Sequence, residues 1–295
     1  MSKKEIINRF LKDGQSTSYE ASSSRKRKAK DLTMLQSKRA KFCSTYISRQ
    51  SFDLPGTIMF YILMNPKTAA FYQKLIKSCK YFFIKNPILI VNHLFHNDIY
   101  SVHVRWIVNR KPFDLSKLTC KVWITDKLDI YPGKKHNQSI LSSLMPKLYR
   151  CDVKELNLSE QVITFHDLSL LISFAEVIYF YNVTFKNENG SNVALEEVVE
   201  IAVNAKNIKI LSNTALTNIS SKTFNELLKI PHFTQLDYFC MEKIPHTFDI
   251  EAFYVFMKNN RTTKFRLHFD DSVSQVYKNR TEEIVDEILA TKGQI

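Results

Sequence analysis

The side chains best equipped for chemistry in this chain are scattered rather than gathered. His93, His96 and His103 fall in one short stretch. The spacing of the first two would put them on one helical face. A metal site needs further thiolate, imidazole or carboxylate ligands close by, and none completes the set there. His166-Asp167 and Asp270-Asp271 are isolated pairs. General acid–base work needs convergent partners, so these read as capping or surface groups. No Gly-x-x-x-x-Gly-Lys-Ser/Thr, His-Glu-x-x-His or Gly-x-Ser-x-Gly run occurs, and five glycines in 295 residues leave little for a phosphate cradle. The cysteines, Cys43, Cys79, Cys120, Cys151 and Cys240, are odd in number, widely spaced and without a Cys-x-x-Cys pair. That pattern supports neither a disulfide framework nor a zinc ribbon. The expectation is a non-catalytic chain, with no cofactor and no metal.

The elements that would position such residues belong to an α/β chain. Apolar content of 44% marks a globular body. No apolar run approaches the roughly 18 residues that span a bilayer, so no membrane partner is expected. The N-terminus lacks a signal-peptide stretch, and an intracellular place, in nucleus or cytoplasm, is expected. The net charge of +13 is uneven. Residues 1–50 hold 13 Lys/Arg against 4 Asp/Glu, and the other 245 hold 29 against 25. Residues 1–50 therefore read as a disordered basic tail, too poor in apolar groups to offset ordering entropy. Within it, Arg25, Lys26, Arg27 and Lys28 form one cluster and Lys38, Arg39 and Lys41 a second. Two cationic clusters on an extended chain match a bipartite nuclear-import signal. The alternative is a solvated basic arm touching nucleic acid non-specifically.

Past the tail, residues 99–150 read as a strand-rich connector. Tyr100, Val102, Val104, Trp106 and Val108 alternate, as do Leu118, Cys120, Val122 and Ile124, with Trp123 facing the other way. From 151 to 295, strand and helix patterns follow each other. Strands are expected at 153–158, 177–181, 208–211, 235–240 and 263–269. Helices are expected at 167–175, 194–205, 223–230, 250–259 and 282–290. The anchors Leu156, Ile178, Ile208, Leu236 and Phe265 lie 22, 30, 28 and 29 residues apart. That period fits a degenerate leucine-rich-repeat-like β/α solenoid, and a doubly wound α/β domain uses the same element order. In a solenoid, one strand face is free to bind. Lys154, Glu155, Asn157 and Tyr179 are candidates for it, with Tyr181, Lys209, Arg266 and His268. A register slip of one residue would turn half of them inward.

The stretch LPGTIMFYILMNPKTAAFYQKLIKSCKYFFIKNP, residues 54–87, organises the rest. Leu54-Pro55 opens a helix, with Pro expected at its first position. Leu54, Ile58 and Ile62 recur every four residues on one face. Asn65-Pro66 breaks the helix, because the residue before Pro is pushed out of the α region. A second helical run carries Phe71, Leu75, Cys79, Phe82 and Phe83 on one stripe, and Asn86-Pro87 stops it. Two such helices cannot bury two stripes against each other alone.

Leu-Pro, then Ile58 and Ile62, then Leu75 and the Cys-Lys-x-Phe ending at Cys79 to Phe82, resemble an F-box. With the Asn-Pro-Ile-Leu tail, residues 51–98 are similar to the divergent F-box proteins expanded in nematodes. The resemblance implies docking on a Skp-type adaptor of a cullin ubiquitin ligase, with Leu54, Pro55, Ile58, Ile62, Leu75, Cys79 and Phe82 in the interface. It also implies that residues 151–295 recruit an unknown target protein for ubiquitination, so that the chain needs no catalysis of its own. The alternatives are a repeat-type interaction scaffold in which the helical pair caps the solenoid, and a nuclear nucleic-acid-associated protein using the tail.

Overall fold

The computed structural model describes residues 53–97, 105–108, 111–132, 139–214, 216–260 and 262–292. The two basic clusters, Arg25–Lys28 and Lys38–Lys41, and His103 lie outside them. The described chain divides into two compact units. One holds residues 53–90 and 116–121, and the other holds 91–115 and 122–292.

The first unit contains helices α1 (Gly56–Met64), α2 (Ala69–Ser78) and α3 (Lys80–Lys85). Pro55 is not the first helical residue. Its ψ of 141° makes it the N-cap, and its carbonyl accepts from the amides of Ile58 and Met59. At the other end, the Asn65 amide and side chain both donate to the Tyr61 carbonyl, and Pro66 follows. Thr68 restarts the chain as a cap, accepting from the Phe71 amide at 3.1 Å. The single helix expected over Phe71–Phe83 is two. Cys79 has extended backbone (φ −151°, ψ 132°), and its thiol accepts the Tyr81 amide at 3.2 Å, so it ends α2 and caps α3. Met59 and Leu63 of α1, Tyr72 of α2, Phe82 of α3 and Ile88 are the buried apolar side chains of this unit.

The second unit is built on a mostly parallel ten-stranded sheet, which establishes the α/β class. Its strands are β1 (Ile88–Asn97, whose first three residues fall in the first unit), β2 (Arg105–Val108), β3 (Lys111–Phe113), β4 (Lys121–Tyr131) and β5 (Leu148–Cys151). Then come β6 (Glu155–Ser159), β8 (Val177–Tyr181), β10 (Asn207–Leu211), β11 (Tyr238–Ile244) and β12 (Lys264–Phe269). The order is β12-β11-β10-β8-β6-β4-β1-β2-β3, with β5 beside β4. Strands expected only as a connector thus join the same sheet as the later strand–helix units. β1–β2 and β2–β3 are antiparallel, and every pair from β4 to β12 is parallel. Trp123, on the other side of β4 from Val122 and Ile124, is fully buried too, because this end of the strand is packed on both faces. A separate two-stranded ribbon pairs β7 (Val162–Thr164) with β9 (Thr184–Lys186).

Helices α4 (Ile140–Leu144), α5 (Phe165–Ile172), α6 (Leu195–Glu200), α7 (Thr223–Leu228) and α8 (Ile250–Asn259) sit in the crossovers, and α9 (Gln275–Lys292) follows the last strand. From β4 to β12 the strand order never doubles back, unlike a doubly wound sheet. Because parallel crossovers are right-handed, stepping in one direction gathers the helices on one face. The register shows the result. Leu128, Leu156, Ile178, Ile208, Phe239 and Phe265 lie side by side on the helix face. All but half-buried Phe265 are closed to solvent. Leu236, expected in this row, is buried just ahead of the strand, after a 3-10 turn at Phe233–Gln235.

A backbone ladder repeats at the start of the strands. The Lys154 carbonyl accepts from Glu176 and Val177, that of Glu176 from Lys206 and Asn207, and that of Lys206 from Asp237 and Tyr238. Glu160 and Asn182 take positive φ (51° each) one residue after β6 and β8, and each donates its amide to the last residue of the next strand.

Candidate functional site

Two surfaces carry the sequence-predicted residues, one in each unit. In the first unit, α1 reads GTIMFYILM and has no charged residue. Such a helix has two apolar faces, and only one is used internally. Met59 and Leu63 hold the unit together. Leu54 and Ile58 stay 49% and 46% exposed, Ile62 is half-buried, and Tyr61 (69%) and Phe60 (58%) widen the patch. Pro55 is exposed, Leu75 and Cys79 are half-buried, and Phe82 is turned into the unit at 5% exposure. Met59 and Leu63 were missed in the sequence because Leu54, Ile58 and Ile62 form an equally regular stripe.

In the second unit, the strand face opposite the helices is polar, closed near β4 and open near β12. Alternation puts Asp129, Asn157, Tyr179, Lys209, Cys240 and Arg266 in one row across six strands. Glu155, Tyr181 and His268 lie on the same face, so the candidates within the strands point together rather than splitting. Lys154 is exposed just before β6.

Near β4 this face is closed by its own pairs. Asp129, 4% exposed, accepts from the Asn157 side-chain Nδ2 at 2.6 Å and lies 2.6 Å from His93 Nε2. Lys127 bridges to Glu155 at 2.9 Å. Burial pulls the Lys127 ammonium down, but the Glu155 hydrogen bond and the Asp129 and Glu155 charges outweigh it and hold it above its usual range. The Tyr131 and Tyr179 phenols are pushed up, by burial first and then by neighbouring charges. The sequence suggested His93 and His96 for one helical face. They sit instead on β1, three residues apart and so on opposite faces, His93 with Asp129 and His96 buried against Trp106.

Near β12 the face is open. Lys209 Nζ lies 5.4 Å from the Tyr238 ring centroid, and Arg266 Nε donates to His268 Nε2 at 3.0 Å. A shallow depression of about 620 Å³ is lined by Val177, Asn207, Lys209, Asp237, Tyr238 and Lys264, with Thr262. The Cys240 thiol is pushed up by burial, away from thiolate reactivity. Among the described residues, no group of three or more His, Cys, Asp or Glu side chains converges as a metal site. No helix of the described residues is long and apolar enough to cross a membrane. The His93–Asp129 pair could orient an imidazole, but the hydrogen bonds recorded for His93 and Asp129 bring no nucleophile to it. No family model, no curated protein and no solved structure matches this chain.

Proposed function

We propose that this chain is the substrate-recognition subunit of a Skp–cullin–F-box type ubiquitin ligase. In this reading the first unit docks the adaptor and the open strand face of the second recruits a target protein. The observation that supports it most directly is the division of labour in α1. Met59 and Leu63 hold the unit, while Leu54, Ile58 and their neighbours keep an uncharged apolar face toward solvent. A helix that only capped a core would turn that face inward. Large exposed apolar patches mark binding sites. The unidirectional parallel strands with their carbonyl ladder support the finer reading of residues 151–295 as a degenerate leucine-rich-repeat-like solenoid. In this reading Arg25–Lys28 and Lys38–Lys41 serve nuclear import, and any nucleic-acid contact is non-specific and confined to the tail.

The test is co-purification of the full chain with a Skp-type adaptor, wild type against Leu54→Ala/Pro55→Ala, with the fold of the variant checked by circular dichroism. Loss of adaptor from a folded variant supports the receptor. Failure of the wild type to bind leaves an interaction scaffold in place of a ligase subunit.

A further inference from the structure

We propose that the free edge of β12 takes up an extended acidic peptide from a partner protein as an added strand. The proposal rests on the reading of the second unit as the recruiting one, and it names the class of segment recruited.

β12 ends the sheet, and among the described residues no strand pairs with its outer side. The direction of its backbone groups follows from its two ends. The Lys264 amide donates to the Asp237 carbonyl at 3.0 Å, and the Asp270 amide to the Ile244 carbonyl at 2.9 Å. Backbone groups alternate sides along a strand, so even-numbered residues face β11. Phe265 and Leu267 therefore direct their amides and carbonyls outward, where a further strand would pair with them.

The side chains specify the occupant. Lys264, Arg266 and His268 alternate on the open face and are exposed, while Phe265, Leu267 and Phe269 alternate on the other face and are only half-buried. Among the described residues neither Lys264 nor Arg266 has a carboxylate within ion-pair distance. Elsewhere in this unit Lys127, Lys206, Lys243 and Arg280 each pair with a carboxylate. Lys209 adds a third cation beside Tyr238, at the depression that Lys264 also lines. Cations on an edge repel other basic strands, would lose their hydration under an apolar one, and attract a strand carrying carboxylates at alternate positions. Apolar residues at the intervening positions would cover Phe265 and Leu267.

Nucleic acid fits this surface less well. Asp237 lines the depression and Glu242 alternates with Cys240 on the same face, where each repels phosphate. The outward amides and carbonyls of β12 also have no counterpart on a sugar–phosphate chain.

The experiment uses the full chain and a fluorescein-labelled six-residue peptide of alternating Glu and Val, the length of β12. Fluorescence anisotropy should show binding, at least about tenfold weaker for Lys264→Glu/Arg266→Glu. The same double variant should gain affinity for the Lys/Val version of the peptide. N-methylating the peptide at alternate backbone nitrogens should abolish binding in one register and leave it in the other, a readout that leaves the protein untouched. Equal binding of Glu/Val and Lys/Val peptides by wild type, tolerance of N-methylation in both registers, or no binding at all would each overturn the proposal. So would a single-stranded oligonucleotide whose binding depends on Lys264 and Arg266. Adaptor co-purification, read separately on the same preparation, shows whether the ligase reading stands or falls apart from it.

Discussion

The Tyr72 hydroxyl donates to the carbonyl of Asn86, fourteen residues on, and accepts from the Ile88 amide at 3.3 Å. The Asn86 side chain in turn donates to the Leu63 carbonyl at 2.9 Å. One buried ring thus fastens the last turn of α1, the end of α3 and the start of β1. Tyr72→Phe keeps the ring and removes this clasp, leaving two backbone groups short of a partner. The expected cost is about 1–3 kcal/mol in urea unfolding. A change within about 0.5 kcal/mol would show that water replaces the hydroxyl.

The two faces of α1 should respond oppositely. Leu63→Ala empties a fully buried position and should cost about 2–5 kcal/mol. Ile58→Ala, on the exposed face, should stay within about 0.5 kcal/mol and still reduce adaptor capture. Equal destabilisation by both would mean that Ile58 is covered in solution.

Asp129→Ala strips Asn157 of its acceptor inside the sheet and should cost about 1–3 kcal/mol. Adding Asn157→Leu should recover part of that loss, since replacing both partners by apolar groups removes the unmet donor. A double-mutant cycle reads the coupling directly. Additive losses would place Asp129's value in His93 and Lys127 rather than Asn157.

Cys151 gives a pH signature. Burial pushes its thiol up to about 12, from an ordinary value near 9.0. Between these values the folded chain holds a proton that the unfolded chain has released. The thiol's contribution to stability is thus full below pH 9 and is lost as pH rises toward 12. Wild type should lose stability faster than Cys151→Ala over that range, measured by denaturant midpoints. Native Cys151 should also resist thiol reagents at pH 8 until the chain is unfolded.

How far the sequence could be read depended on whether a local signal competed with a global one. β8 was expected at 177–181 and is found there, because Val-Ile-Tyr-Phe-Tyr alternates without interruption. α8 was expected at 250–259 and is found there, with Asp249 accepting the Ala252 amide as its cap. The helix expected over 194–205 stops at Glu200. Ala202 and Ala205 continue the apolar pattern in a turn and are buried there without being helical. On α1 the periodicity showed a buried stripe, but with no charge on any side it could not say which stripe. The Asp129–Asn157–His93 cluster joins three strands distant in sequence, so it depends on register and has no local signature.

The ladder that starts the strands also carries charges that alternate: Lys154, Glu176, Lys206, Asp237. Lys206 reaches Glu176 at 2.7 Å, and that contact lifts the ammonium and lowers the carboxyl relative to their usual ranges. Alternation of this kind imposes a parity rule on the length of the array. Excising one strand–helix unit would set Lys154 beside Lys206, or Glu176 beside Asp237, and place like charges on neighbouring rungs. Excising two would restore opposite signs. The array can thus shorten or grow in pairs without repulsion, and added salt should narrow the difference between odd and even versions.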